Sequence, residues 1–232
     1  DKIPATLPSG EATAGRLSEQ MEIENIARNV IEQAGFSEGM TYSFESPKVF
    51  DKLLVPEGSK AREAIVISNP LGEDYSIMRT LSLNGMLTSL ATNYNHRNKD
   101  VRLYELANVY LPKALPLTEL PDERMQLTLG MYGKGDFFDL KGDVEAVLDK
   151  LGIRKLITYT PEDDRPYLHP GRKADIMVDG QTIGFLGEIH PEVAENYNIG
   201  TKVYVAVLDV ERLTELSNFD IKYKGVAKFP AV

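Results

Sequence analysis

The stretch from His169 to Ile199 constrains this chain most. Ala174, Ile176 and Val178 alternate with Lys173, Asp175 and Met177, a period of two that predicts a half-buried strand. Asp179-Gly180 follows, and Asp-Gly between alternating runs signals a hairpin because glycine accepts positive φ. Ile183, Phe185 and Ile189 carry the return strand. Gly184 and Gly187 lack side chains, so either another group approaches the backbone there or the strand bulges. Pro191 stands where a helix would begin, since its missing N–H costs nothing at the first helical position. Such a hairpin is either the centre of an antiparallel sheet or the floor of a ligand site. Hairpins are commoner than sites, so pattern alone favours the sheet.

A chain of 232 residues can bury a real core around that hairpin. The net charge of -9 argues against a primary DNA- or RNA-binding surface, which needs clustered Lys and Arg. It does not exclude an acidic module inside a larger nucleic-acid enzyme. With no Cys, disulfides, thiolate metal sites and a cysteine nucleophile are ruled out; this fits a cytoplasmic protein. No apolar run approaches about 18 residues, so no membrane contact is expected. Asp1 in place of an initiator Met, and an ending at Val232, read as a piece of a longer protein.

Around the hairpin, helices and strands mix without a strict βαβ rhythm. Residues 1–15, with Pro4, Pro8, Gly10 and Gly15, read as a linker or arm. Ile23, Ile26, Ala27, Val30, Ile31 and Ala34 form the apolar face of a helix from about Ser18, and Gly35 suits its end. Strands are expected over 40–44, 64–67, 75–79, 103–110, 125–132, 157–159 and 203–208. Ser46-Pro47 is expected to start a short helix, and helices carry Leu83, Met86, Leu87 and Leu90, then Leu140, Val144, Val147 and Leu148, then 210–216. Pro112, Pro116 and Pro121 mark a surface loop. The pattern predicts class α+β, an antiparallel sheet flanked by helices.

Single residues give weaker signals. His96, His169 and His190 show no metal-ligand spacing, and His190 before Pro191 reads as a helix-start packing residue rather than a catalyst. Asp136, Asp139, Asp143 and Glu145 could hold magnesium, but carboxylates also favour a helix N-terminus, and that reading is preferred. Gly133-Lys134-Gly135 lacks the spacing of a phosphate loop and reads as a turn. Arg79 could grip an anion; more often such an Arg pairs with a carboxylate.

Four segments together resemble a known family: NPLGEDYSIMRTLSLNGML (69–87), DFFDLKGDVEAVL (136–148), HPGRKADI (169–176) and IGFLGEIHPEVAENY (183–197). They resemble the bacterial phenylalanyl-tRNA synthetase β subunit, in its central catalytic-like region, and the ends at Asp1–Pro8 and Lys228–Val232 look like it too. The resemblance covers nearly the whole chain in order. It implies a class II synthetase-like antiparallel sheet with flanking helices over residues 16–222. Residues 1–15 would then be an arm from a preceding domain, and 223–232 the start of a linker to a C-terminal anticodon-binding domain. It implies an (αβ)₂ heterotetramer in which the α subunit activates phenylalanine with ATP and magnesium and charges tRNA-Phe. The β subunit's metal-binding carboxylates lie upstream of Asp1 in the family, so no metal and no cofactor are expected in this piece.

Several segments echo the α subunit's own motifs: Asp139-Leu140-Lys141-Gly142, Met78-Arg79-Thr80 and Ile189-His190-Pro191. The departures matter more. Class II motif 2 places a phosphate-binding Arg where Leu111 and Pro112 follow Tyr110. Motif 3 uses Gly-x-Gly followed by Arg; Val207-Leu208-Asp209 stands there, with Arg212 trailing, and Asp209 would turn a negative charge to phosphates. The α subunit's Thr-Glu-Pro corresponds to Leu168-His169-Pro170. Arg79, Leu111, Val207 and Arg212 are therefore vestigial class II positions, with no catalytic residue, unless the register is shifted and Arg102 or Arg124 supplies a working cation. The favoured reading is a non-catalytic assembly core of the ligase. The alternatives are a free-standing class II-type adenylate-forming enzyme and a binding module unrelated to translation. The Leu83-Met86-Leu87-Leu90 stripe is expected on a surface that the α subunit covers.

Overall fold

A computed structural model describes residues 2, 4–7, 9–11, 14–161, 164–223 and 225. The elements are α1 (Glu19–Gln33), β1 (Ser37–Glu38), β2 (Phe44–Glu45), α2 (Val49–Lys52), β3 (Ile77–Met78), α3 (Leu83–Asn95), β4 (Val101–Leu111) and β5 (Asp122–Tyr132). There follow α4 (Phe137–Lys150), β6 (Ile157–Thr160), β7 (Leu168–Val178), β8 (Gln181–Ile189), α5 (Pro191–Asn196), β9 (Val203–Asp209) and α6 (Val210–Leu216). The described positions before Glu19 hold no helix or strand, and the ending at Lys228 to Val232 lies outside the described residues.

Seven strands form one sheet in the order β1-β4-β5-β9-β8-β7-β6. The β4–β5 hairpin makes one half, and β6 to β9 make the other. They join where β5 meets β9, from Gln126 opposite Asp209 to Tyr132 opposite Val203. The expected antiparallel sheet holds for every pair but one: β1 lies parallel to β4, because α1 delivers the chain to that edge running in the β4 direction.

Both faces of the sheet are covered. Leu127, Leu129, Met131, Ile176, Val178, Ala206 and Leu208 lie beneath α1, α4 and α6. Val203, Val205, Val207 and Ile189 lie beneath α2, α3 and α5. Burial on both faces explains why β9 reads as a nearly continuous apolar run instead of alternating. Helix starts follow the sequence. Ser18 Oγ accepts from the Met21 N–H at 3.3 Å. Asp136 and Asp139 form a reciprocal capping box on α4. His190 Nδ1 accepts from the Glu192 N–H at 3.2 Å, with Pro191 in the first helical position.

Four expectations fail locally. The 40–44 strand shrinks to Phe44–Glu45, because the Thr41 N–H is drawn to the Glu105 carboxylate at 2.9 Å instead of a strand neighbour. The 64–67 strand reduces to a single bridge between Val66 and Ile77, and the 75–79 strand to Ile77–Met78. A 3-10 turn over Glu73–Tyr75, following Pro70 and Gly72, cuts that ladder short. Most consequentially, Leu83, Met86, Leu87 and Leu90 of α3 are at most 2% exposed. That stripe packs on the sheet, so it is core and not a partner surface.

The central hairpin is as read, with one refinement. Asp179 and Gly180 take φ of 49° and 78°, as a tight two-residue turn demands. Ile176 pairs with Gly184 and Met177 with Thr182, so Ile183 is an extra residue in β8. The bulge sends Ile183 to the α1 face while Phe185 goes to the opposite face. Both sequence readings of Gly184 are met: it sits beside the bulge, and a Cβ there would overlap the Val207 carbonyl oxygen.

Two glycine substitutions separate these effects. At Gly180 nothing lies within 4 Å of a new Cβ. Gly180→Val therefore pays backbone strain alone, about 1–3 kcal/mol. Gly184→Ala meets the backbone of β9, which cannot yield cheaply, and is expected to cost more than about 3 kcal/mol. Thermal or urea melts of the two variants check the ranking; an equal or smaller loss for Gly184→Ala contradicts the β8–β9 packing.

Candidate functional site

Three of the four class II positions, Leu111, Val207 and Arg212, are taken up by the fold itself. Leu111 is the last residue of β4 and is 38% exposed, with no charge to offer a phosphate. Val207 and Leu208 are 4% and 0% exposed and point to opposite faces of β9. Each is held between β5 and β8: Val207 between Thr128 and Phe185, Leu208 between Leu127 and Gly184. Arg212 lies on α6, with its Nη1 2.7 Å from Glu215. Asp209 is turned to α6 as its cap, its Oδ1 accepting from the Arg212 N–H at 3.0 Å. The two substitute cations are also engaged. Arg124 bridges Asp122 at 2.7 Å and Glu211 at 2.6 Å. Arg102 pairs with Asp143 at 3.2 Å and stacks on Phe36.

The remaining motif candidates resolve into structure. Beyond the capping box, Asp143 belongs to Arg102, and Glu145 accepts from Lys141 at 2.6 Å and from the Tyr159 hydroxyl at 3.1 Å. Among the described residues no three acidic, His or Cys side chains gather as a metal would need. Gly133 and Gly135 take φ of 103° and 100°, a turn. His169 Nδ1 accepts from the Gly171 N–H at 3.0 Å.

Arg79 is different. It is 2% exposed and pairs with Glu105, 3% exposed, at 3.4 Å. Its Nε donates to the Asn108 carbonyl at 2.6 Å, and its Nη1 to Thr41 Oγ1 at 3.2 Å. Glu105 in turn accepts from the Thr41 hydroxyl and N–H. The backbone joins in: the Arg79 N–H donates to Ser43 O, and the Arg79 carbonyl accepts from the Tyr110 N–H, both at 2.9 Å. This buried network ties the β2–β3 ribbon to β4. Both charges are compensated, which a buried pair requires.

Next to it lies a second polar group that no sequence signal marked. Glu45 is 4% exposed, and its Oε1 accepts from Asn84 Nδ2 at 2.9 Å. Asn84 Oδ1 accepts from the Tyr197 hydroxyl at 2.7 Å, linking α3 to the end of α5. Burial pushes the Glu45 carboxyl up to about 7, against the downward pull of the Asn84 hydrogen bond and of Arg79. Glu45 and Asn84 line a cleft of about 850 Å³, with Met40, Tyr42, Phe44 and Tyr75 around it.

The raised carboxyl makes stability pH-dependent, with a definite sign. A group whose pKa is higher folded than unfolded stabilises the fold fully below its unfolded value, and that stabilisation is lost as pH rises through the folded value. For Glu45 the loss runs from the ordinary Glu range, 4.5, to about 7. It amounts to on the order of 3 kcal/mol at most. Glu45→Gln keeps the shape and cannot ionise. Denaturant melts at pH 5 and pH 8 should show a smaller drop for the variant than for the parent. An identical drop contradicts the buried placement of Glu45.

Comparison with known proteins agrees with this geometry. The family model for the phenylalanyl tRNA synthetase beta chain CLM domain matches residues 3–210. Relatives named phenylalanine–tRNA ligase beta subunit include one from Clostridium acetobutylicum, 43% identical, and one from Clostridium tetani, 39% identical. Both align over all of this chain and 29% of their own length. One from Geobacter metallireducens is 35% identical over 99% of the chain and 30% of its own length. The chain thus spans under a third of the curated relatives it matches. Among solved structures, pyrrolysyl-tRNA synthetase from Desulfitobacterium hafniense superposes with a TM-score of 0.68 at 19% identity, covering 84% of this chain and 67% of that one. That likeness places the sheet and its helices in the class II synthetase fold. Matched by the family model over residues 3–210 and by relatives at 35–43% identity from end to end, the chain belongs to the phenylalanyl-tRNA synthetase beta chain family, in its CLM domain.

Proposed function

We propose that this chain is the non-catalytic class II-like core of a phenylalanine–tRNA ligase β subunit, and that it assembles with the catalytic α subunit. One observation carries the reading: where a class II enzyme needs a phosphate cation and open glycine backbone, this chain has Leu111 and the packed pair Val207 and Leu208. Charge builds at the α-phosphate as adenylate forms, and a neutral Leu cannot stabilise it. Carboxylates already hold both substitute cations, Arg102 and Arg124. The residues at these positions do not fit ATP and magnesium, so in this reading the α subunit holds both. The whole assembly is an (αβ)₂ enzyme of the cytoplasm that charges tRNA-Phe.

In this reading residues 1–15 are an arm from a preceding domain, 16–222 the core, and 223–232 the start of a linker to an anticodon-binding domain. The core is a rigid platform. Its two covered sheet faces and the Arg79–Glu105 network fix the shape that a partner docks against.

Two measurements test this. Pyrophosphate exchange with phenylalanine, ATP and magnesium should be absent for the chain alone and unchanged by Arg212→Ala. Co-purification should recover the chain with a tagged α subunit. Micromolar ATP affinity by calorimetry, or exchange without α, would instead make the chain an adenylate-forming enzyme. Failure to bind α while remaining folded would remove the assembly role.

A further inference from the structure

The function above makes no use of Glu45. Its carboxyl is 4% exposed, yet it makes no ion pair among the described residues, and its one side-chain hydrogen bond comes from Asn84. Buried carboxylates are ordinarily paired. Each nearby cation is turned to another partner. Arg79, directly after β3, and Glu105 on β4 hold each other. Lys48, before α2, turns to Glu73 at 3.4 Å. Lys52 of α2 lies 5.3 Å over the Tyr197 ring, and Tyr197, after α5, gives its hydroxyl to Asn84. Asp74, which also lines the cleft, adds a second negative charge.

The mouth of the same cleft is apolar and bare. Met40 is 92% exposed and Tyr42 72%, while Phe44 and Tyr75 are partly exposed. Tyr42 and Tyr75 pack edge to face with centroids 5.9 Å apart. Large apolar side chains clustered in this way around a polar floor mark a contact surface. The arrangement is an anchor pocket: aromatic walls and a buried carboxyl that neither lining lysine pairs with, Lys48 being turned to Glu73 and Lys52 to the Tyr197 ring. A guanidinium suits it best, since its plane stacks on tyrosine while its donors reach a carboxylate.

We propose that the cleft over Glu45 is a socket for one arginine side chain of the catalytic partner subunit, flanked there by apolar residues that cover Met40 and Tyr42. The inference rests on the assembly reading and names its anchor. Charge complementarity favours a foreign, cationic segment: the chain carries a net charge of -9, so a second copy brings mostly like charge. Seating the arginine requires the carboxylate form of Glu45. Because the carboxyl sits near pH 7 in the free chain, docking expels a proton at lower pH. Arg79, Glu105, Lys48, Lys52 and Tyr197, whose partners are named above, surround it together with Asp74, Tyr42 and Tyr75.

Calorimetry of the chain with the α subunit at pH 6, 7 and 8 tests this. Affinity is expected to rise between pH 6 and 8, with proton release at pH 6. Glu45→Gln should bind about thirtyfold more weakly at pH 8 and lose much of the pH dependence. Tyr42→Ser, at a largely exposed position that folding does not need, should weaken binding about tenfold. If the parent binds α and both variants match it, the socket is overturned while the assembly role stands. If the parent does not bind α at any pH, both fall. If the chain alone dimerises and Glu45→Gln dissolves the dimer, the occupant is a second copy and the assignment to α is overturned.

Discussion

The pairing of β5 with β9 is the join on which the rest of the molecule depends. These strands are far apart in sequence, and each belongs to a different half of the sheet. Once they pair, the sheet is wide enough to bury apolar residues on both faces, and each face then requires its own helices. The helix α4 leaves β5 and delivers the chain to the far edge at β6, so one helix spans the join. Within the second half, Leu208 and the Val207 carbonyl press against the bare backbone of Gly184, so β8 holds β9 at atomic contact.

That double burial also decides what fills the centre of the sheet. Leu208 under the α1 face and Val207 under the α3 face turn the centre of the sheet into packing. Two buried polar groups lie beside one another between β4, α3 and α5: the Arg79–Glu105–Thr41 network and the Glu45–Asn84–Tyr197 chain. The first is fully paired and structural. The second pairs Glu45 with a neutral amide only, leaving its charge uncompensated.

The long elements were legible in the sequence because their periodicity is strong. The stripes of α1, α4 and α6, the Asp179-Gly180 turn and the start of α5 at Pro191 stand as read. The short strands near residues 40–78 were not, because long-range hydrogen bonds decide them: Thr41 to Glu105, and the Arg79 backbone to Ser43 and Tyr110. The α3 stripe was identified but assigned to the wrong side, since an apolar helix face looks the same whether it meets a sheet or a partner. Arg79 was read correctly as a pairing residue, though Glu105 could not be named from spacing. Glu45 escaped altogether, since nothing in a local window marks a carboxyl that only tertiary packing buries.

The β5–β9 join bears on how the chain folds. The β7–β8 hairpin closes through a two-residue turn and can form early, from contacts close in sequence. The β4–β5 hairpin spans a longer loop but is also local. Neither can complete the sheet until β9 arrives with residues 203–209, after everything between has been made. During synthesis the β5 edge therefore stays open across the whole interval in which α4, β6, β7 and β8 emerge. The slow event is a docking of two preformed halves, and the apolar run of β9 is the segment that most needs shelter until it happens.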